Sequence, residues 1–429
     1  MLNRSIMRPL SGRGLATAAG GRPLVVLGLE SSADDTCASI VTSDRRILSN
    51  IVLKQSSLVA QYGGIHPLHA QEAHQLRMPL AIQSALKEAG MKLEELDGIA
   101  ATRGPGMYGC LGVCWGAAKA LAAATGKPLL GVHHMQAHAL TPFLTSSPSV
   151  SPLYPHPSPR FPFLTLLLSG GHTLLLLASS PSRFKILATT HDESIGACLD
   201  KAARDLGIDF GLGGGSPAAG MERFAFPSLS LGDLLPIKNE EEEGGKAVPN
   251  FPVPFPKDLA FSYAGLRSSL TRLLSHPSSS SPTPSASSPT PPGAQLEEGY
   301  KRGLTQRFML AAFAQIEGKV ALALRGAEER GEERVRGLVV SGGVASNLIL
   351  RERLRIKLDS LGYHDLPLIF PPPKYCTDNA AMIAWVGLQR LREGKIDGLD
   401  AMQKAKWSVE DCEADLEEKV EGKGKELGR

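Results

Sequence analysis

No C-x-x-C pair occurs among the six cysteines of this chain, at 37, 110, 114, 198, 376 and 412. That spacing excludes a disulfide framework and a thiolate zinc site, and it fits a reducing compartment. Excess charge is lacking as well. A formal net charge of +3 on 429 residues does not announce a nucleic-acid binder, so any RNA-binding surface has to be local. Long apolar runs are missing too. The best candidate, Phe163 to Ala178, is broken by Ser169, Gly170, Gly171 and His172, so no bilayer span is expected and the mature protein should be soluble. Acidic residues are absent before Glu30, while Arg4, Arg8, Arg13 and Arg22 stand among Ser, Thr, Ala and Leu. This is the makeup of a mitochondrial transit peptide over about residues 1–22, with a matrix location implied.

What is present, 42% hydrophobic and 21% charged residues, is the balance of a globular protein of two packed lobes. Leu24 to Leu29, the polar stretch Glu30-Ser31-Ser32-Ala33-Asp34-Asp35-Thr36 and Cys37 to Thr42 read as strand, loop, strand. A helix is expected from about His69 to Ala89, a strand over Gly98 to Thr102, a small-residue helix over Leu111 to Ala124 and a buried strand over Leu129 to Val132. The first lobe is placed at 23–144, a Ser/Pro-rich linker or insertion at 145–162 and the second lobe at 163–407. Within the second lobe, insertions at about 227–256 and 275–293 are expected to be disordered, and a charged tail follows from 408 to 429 as a frayed helix. A long helix from about Leu304 to Arg330 carries Arg302, Arg307 and Lys319 near or on it; they belong to an RNA surface or, more ordinarily, to a solvated face.

Three small or polar loops each follow an apolar run: Glu30 to Thr36, Ser169 to Thr173 and Ser341 to Asn347. Glycine lets backbone approach a phosphate or ribose, and two S-G-G turns behind buried strands suggest a nucleotide held between two lobes. Either turn alone is as well explained as a tight turn. His134 and His138 are four apart, so on a helix they share a face and can chelate one metal. A zincin protease needs Glu directly after the first histidine, and Met135 stands there. Asp378, before the apolar Met382 to Val386, is the best distant carboxylate. Taken alone, the pair more often serves packing and Asp378 more often caps a helix. Asp192 and Asp200, eight apart with a helical pattern between them, either cap a solvated helix or, in the case of Asp200, accept from sugar hydroxyls.

Taken in order, the segments LGLESSADDT from Leu27, GPGMYG from Gly104, HHMQAH from His133, LSGGHT from Leu168, FSYAGL from Phe261, SGGVASN from Ser341 and TDN from Thr377 resemble the tRNA adenosine threonylcarbamoyltransferase family. That family was once described as O-sialoglycoprotein endopeptidases. The resemblance runs from Val26 to about Trp407. It implies an α/β, two-lobed actin-like and heat-shock-chaperone-like ATPase fold, with duplicated ribonuclease-H-like lobes and a nucleotide cleft between them. The leader and the Lys406-Trp407-Ser408 ending look most like the mitochondrial branch, whose members work as homodimers.

Carried over by position, the resemblance implies that His134, His138 and Asp378 hold one divalent metal ion, iron or zinc. Leu168, Ser169, Gly170, Gly171, His172, Asp200, Gly214, Glu222 and Asn347 would contact the adenylate of threonylcarbamoyl-AMP. Its carbamoyl carbon would be attacked by the exocyclic amine of the tRNA adenosine beside the anticodon, with Asp34 or Asp35 taking the proton. Departures from the pattern include Ala33 for Cys, Gln136-Ala137 for Glu-Gly and Cys198-Leu199 for Ala-Phe. The stretch Phe210 to Pro217 is longer than the family's Pro-Gly-Gly-Pro, so the ribose-facing glycine is Gly213, Gly214 or Gly215. Other readings are a small-molecule kinase of the same fold, a non-catalytic nucleotide-binding partner and a metallo-glycoprotease.

Overall fold

The computed structural model describes residues 21–62, 64–146, 157–208, 216–227, 248–275 and 291–412. Most of the leader, most of the linker, Gly213 to Gly215, the centres of both insertions and the end of the tail lie outside the described residues. The chain divides into two compact units, Met1–Ala137 with Asn379–Trp407, and His138–Asp378 with Ser408–Arg429.

The first unit is built on the run Val25–Glu30 (β1), buried at every position, as befits a strand covered on both faces. Thr36–Thr42 (β2) and Ile47–Leu53 (β3) follow as an antiparallel meander. After helices Ser56–Tyr62 (α1) and Pro67–Ala89 (α2), strand Gly98–Gly104 (β4) pairs parallel to β1. Helix Tyr108–Thr125 (α3) then leads to Leu129–His133 (β5), which is parallel to β4. The sheet order is β3-β2-β1-β4-β5. Helix α2 opens with proline in its first turn and closes on Gly90 at φ 62°, the left-handed cap that a residue without Cβ adopts cheaply. Helix His134–Thr145 (α4) starts at the residue after β5, so the histidine segment issues from the carboxyl edge of this sheet.

The second unit repeats that plan. Phe163–Leu168 (β6), Thr173–Ala178 (β7) and Phe184–Thr189 (β8) form the antiparallel meander. Then come helices Ile195–Asp205 (α5), Pro217–Ala225 (α6), Ala264–Ser275 (α7) and Glu298–Glu329 (α8), and strand Leu338–Ser341 (β9), parallel to β6. Helix Leu348–Ser360 (α9) precedes Leu368–Ile369 (β10), parallel to β9, and short α10 (Pro373–Cys376) follows. The order β10-β9-β6-β7-β8 matches the first sheet strand for strand, in sequence and in sense. This duplication is the two-lobed α/β class that the resemblance implied.

Several local expectations are corrected. Residues 379–407, assigned above to the second lobe, pack on the first sheet. Their helix Ala380–Arg392 (α11) approaches so closely that a Cβ on Gly28 would lie 2.3 Å from the Ala380 carbonyl oxygen, and one on Gly387 would lie 2.5 Å from Ala100 Cβ. Only paired small residues permit that approach, and sequence order carries no sign of it. Arg307 and Lys319 lie on neither an RNA surface nor a solvated face. Both are buried because α8 runs through the core of its unit; Arg307 donates to Asn250 Oδ1 and Lys319 to the Phe255 carbonyl. The end of the first insertion is ordered, with Phe251 buried edge-on against Phe308. The tail begins with a docked turn, Val409–Cys412, whose Glu410 accepts the Ile186 amide of β8.

Candidate metal and adenylate site

Helix α4 presents His134 and His138 one turn apart, both nearly buried. Asp378 Oδ1 lies 3.0 Å from His138 Nε2, and one ligand atom from each of His134, His138 and Asp378 lies within 4.8 Å of the others. Asp378 does not cap the helix that follows. That part falls to Asn379, whose side chain accepts the Met382 amide, while Asp378 meets His138. Two imidazoles and one carboxylate are a borderline nitrogen and oxygen donor set, of the kind that suits zinc or iron. The ring of His134 has its Nδ1 2.9 Å from Glu30 Oε2, which turns Nε2 toward the other role. The donor set and the ring orientation both fit a metal. Asp34 and Asp35 stand half-buried in the loop between β1 and β2.

In the second unit a cavity of about 110 Å³ is lined by Gly170, Gly196, Asp200, Glu222, Gly343 and Asn347, among others. Its walls follow from local chemistry. Ser194 caps α5 by accepting the Ala197 amide, and its hydroxyl donates to the Gly170 carbonyl at 2.6 Å, which moors the glycine loop to the helix start. A Cβ on Gly196 would fall 2.5 Å from the Ser169 carbonyl oxygen, so only glycine admits that contact. Asn347 caps α9 through the Leu350 amide, and Glu222 accepts the Leu348 amide at the same helix start. Burial pushes both Asp200 and Glu222 above the usual carboxylate range, although the Ala218 amide at Asp200 and the Leu348 amide at Glu222 pull the other way.

The cavity thus gathers four of the expected adenylate residues, Gly170, Asp200, Glu222 and Asn347. Leu168, Ser169, Gly171 and His172 are not among its walls. Leu168 ends β6 in the core, and Ser169 Oγ accepts the amides of Gly171 and His172, closing the turn. Gly214 is outside the described residues. Asp192 precedes α5 instead of lying on it, because Ser194 starts that helix. Its carboxylate binds the Ser262 hydroxyl and the Tyr263 amide; burial raises its pKa, but these bonds outweigh that, and the net shift is downward. Sequence reasoning missed Gly196 and Ser216, whereas Gly343 lies in the Ser341 to Asn347 loop that it had placed at the nucleotide. Ser216 before Pro217 carried a visible helix-start signal, whereas Gly196 had none.

A larger apolar groove, about 1010 Å³, runs between α2 and α3 and shares no residue with either site. Among the described residues, no helix is long and apolar enough to cross a membrane.

Residues 46–385 match the family model described as tRNA N6-adenosine threonylcarbamoyltransferase. The chain belongs to that family. It is accordingly a transferase acting on tRNA. The chain is 36% identical over 87% of its length to 70% of an Arabidopsis thaliana protein named as the probable mitochondrial enzyme. It is 34% identical, over 90% of its length and 92% of the relative, to the Zymomonas mobilis enzyme. The Maricaulis maris enzyme matches at 36% over 92% of this chain and 94% of its own.

Proposed function

We propose that this transferase moves the threonylcarbamoyl group of threonylcarbamoyl-AMP to the exocyclic amine of the adenosine adjacent to the anticodon in mitochondrial tRNAs reading ANN codons. The amine nitrogen forms a bond to the carbamoyl carbon, the bond from that carbon to the phosphate oxygen breaks, AMP leaves and the amine gives up one proton. The observation that carries this reading is the cluster of His134, His138 and Asp378 within 4.8 Å. These residues would hold one divalent ion, iron or zinc, which when bound supplies Lewis-acid stabilisation of charge on the donor's oxygens.

The remaining work falls to the protein's own groups. Gly170 and Gly171 offer bare backbone toward the donor, since a Cβ on either would meet nothing within 4 Å. Asp200 and Glu222 accept from ribose hydroxyls, and Asn347, which also caps α9, completes the adenylate contacts together with Gly214 and the backbone of Leu168 to His172. Asp34 or Asp35 receives the amine proton. A mitochondrial location is supported by the basic leader and by the Arabidopsis relative, which is named as mitochondrial; the matrix is the compartment we propose. A homodimer is supported by the apolar groove between α2 and α3 and by Leu76 and Leu80 of α2, which are 76% and 56% exposed.

The decisive experiment combines purified protein, threonylcarbamoyl-AMP and unmodified mitochondrial tRNA under metal-replete conditions, with the nucleosides resolved by mass spectrometry. Appearance of the modified adenosine with release of AMP is expected. Its absence rejects the reading.

A further inference from the structure

A carboxylate without access to water survives only if its lone pairs are taken up. Glu30, at the end of β1, is wholly buried. The parallel register sets Leu29 beside Ala101 on β4 and Thr102 beside Val132 on β5, so Glu30, Thr102 and His134 come together at the carboxyl edge of three adjacent strands. Oε1 accepts the Ser32 amide. Oε2 accepts the Thr102 hydroxyl and lies 2.9 Å from His134 Nδ1, which also has the Ser32 hydroxyl at 3.3 Å. The Ser32 amide can only donate, so Oε1 is an acceptor. With the Thr102 hydroxyl donating to Oε2, the imidazole meets that oxygen as a donor too.

We propose that Glu30 is the positioning residue of His134. It holds the imidazole as the tautomer protonated on Nδ1, so that the lone pair sits on Nε2, and it fixes the plane of the ring and strengthens Nε2 as a ligand. Carboxylate partners of this kind orient metal-bound histidines and raise their basicity. The proposal rests on the metal reading above, and it concerns a residue that acts through His134.

Glu30→Gln separates charge and acceptance from shape. The amide's oxygen must stay on the Ser32 N–H, so its NH₂ faces Thr102 and Nδ1 and forces the opposite tautomer. Zinc(II) affinity, measured by competition with a chelating indicator, is expected to fall about 10- to 100-fold in Glu30→Gln. Thr102→Val, which removes one neutral donor, is expected to cost no more than about fivefold. Glu30→Asp draws the carboxylate back and is expected to fall between the two. Independently of any variant, ¹⁵N spectra of the metal-free wild-type protein are expected to show His134, assigned by its loss in His134→Gln, protonated on Nδ1. A wild-type protein with no zinc affinity sinks the metal reading. Wild-type binding with Glu30→Gln within twofold of it, or His134 protonated on Nε2, overturns the present proposal.

Discussion

The loop after β1 and the loop after β6 stand at the same point of two sheets with the same strand order, one enclosing a carboxylate and the other displaying bare backbone. In the first, Glu30 is buried among donors, and the Ser32 amide with the side chains of Thr102 and His134 close around it. In the second, Gly170 and Gly171 face open space, while the glycines that the fold requires lie beneath them. Gly342, at φ 97°, would set a Cβ 2.3 Å from the Leu168 carbonyl oxygen. One topology therefore supports two kinds of site. A loop with an acid orients side chains, and a loop without side chains leaves room for a ligand's own polar groups.

The strongest way to break the comparison is on the acidic side. His134→Ala is expected to lower transfer more than about a thousandfold, the several kcal/mol a Lewis acid supplies, with a melting temperature close to wild type. Unchanged turnover would remove the metal assignment. On the glycine side, Gly342→Ala combines a left-handed backbone with a clash against a carbonyl oxygen, and chemical denaturation should show a loss of about 2–4 kcal/mol. Gly170→Ala should change stability by less than about 0.5 kcal/mol, because its Cβ enters open space, yet weaken adenylate binding in calorimetry. Equal stability losses at both positions would erase the distinction between fold-required and ligand-facing glycines.

Acid sensitivity sharpens the contrast further. His74, on α2, is buried and bonded to Thr36 Oγ1 at 2.7 Å and to the Ala33 carbonyl at 3.0 Å, and burial holds its pKa below 6.5. Because the folded state prefers the neutral ring, its contribution is intact above pH 6.5 and is lost as pH falls through the folded value. Urea midpoints should decline below pH 6.5 with a slope of up to about 1.4 kcal/mol per pH unit, and His74→Gln should flatten that decline. Asp200 runs the other way and gives the smallest effect. Burial raises its pKa, so its contribution is full below the ordinary carboxylate value and is lost as pH rises through the folded one. Asp200→Asn, which keeps the acceptor for the Ala218 amide, should stabilise the ligand-free protein slightly at neutral pH while weakening adenylate binding. A destabilised Asp200→Asn would contradict this.

Much of the site was readable from residue order, and the limits have physical causes. The spacing of His134 and His138 is a helical repeat, so one helix suffices to pair them. Asp378 lay 240 positions from His138 in the chain, and its neighbour Asn379 competes for the same capping role. Residue order named Asp378 the best distant carboxylate but weighed helix capping above it, and the resemblance turned the balance toward a ligand. Arg307 and Lys319 misled because a charged residue on a helix is usually solvated, and nothing local reveals that α8 is buried on nearly every side. Glu30 was legible only as the first residue of a polar loop, since its partners Thr102 and His134 are 72 and 104 positions away.

By itself, the sequence determined the buried strands β1, β2, β4 and β5, the polar loops and the family, since apolar runs, turn residues and motifs are encoded within short stretches, and the doubled plan came with the family resemblance. Tertiary structure alone decided that α11 seals the first sheet, that Glu30 faces His134, and which glycines serve the fold. Each of these depends on register between strands distant in sequence, or on two backbones meeting at the distance that only a missing Cβ allows.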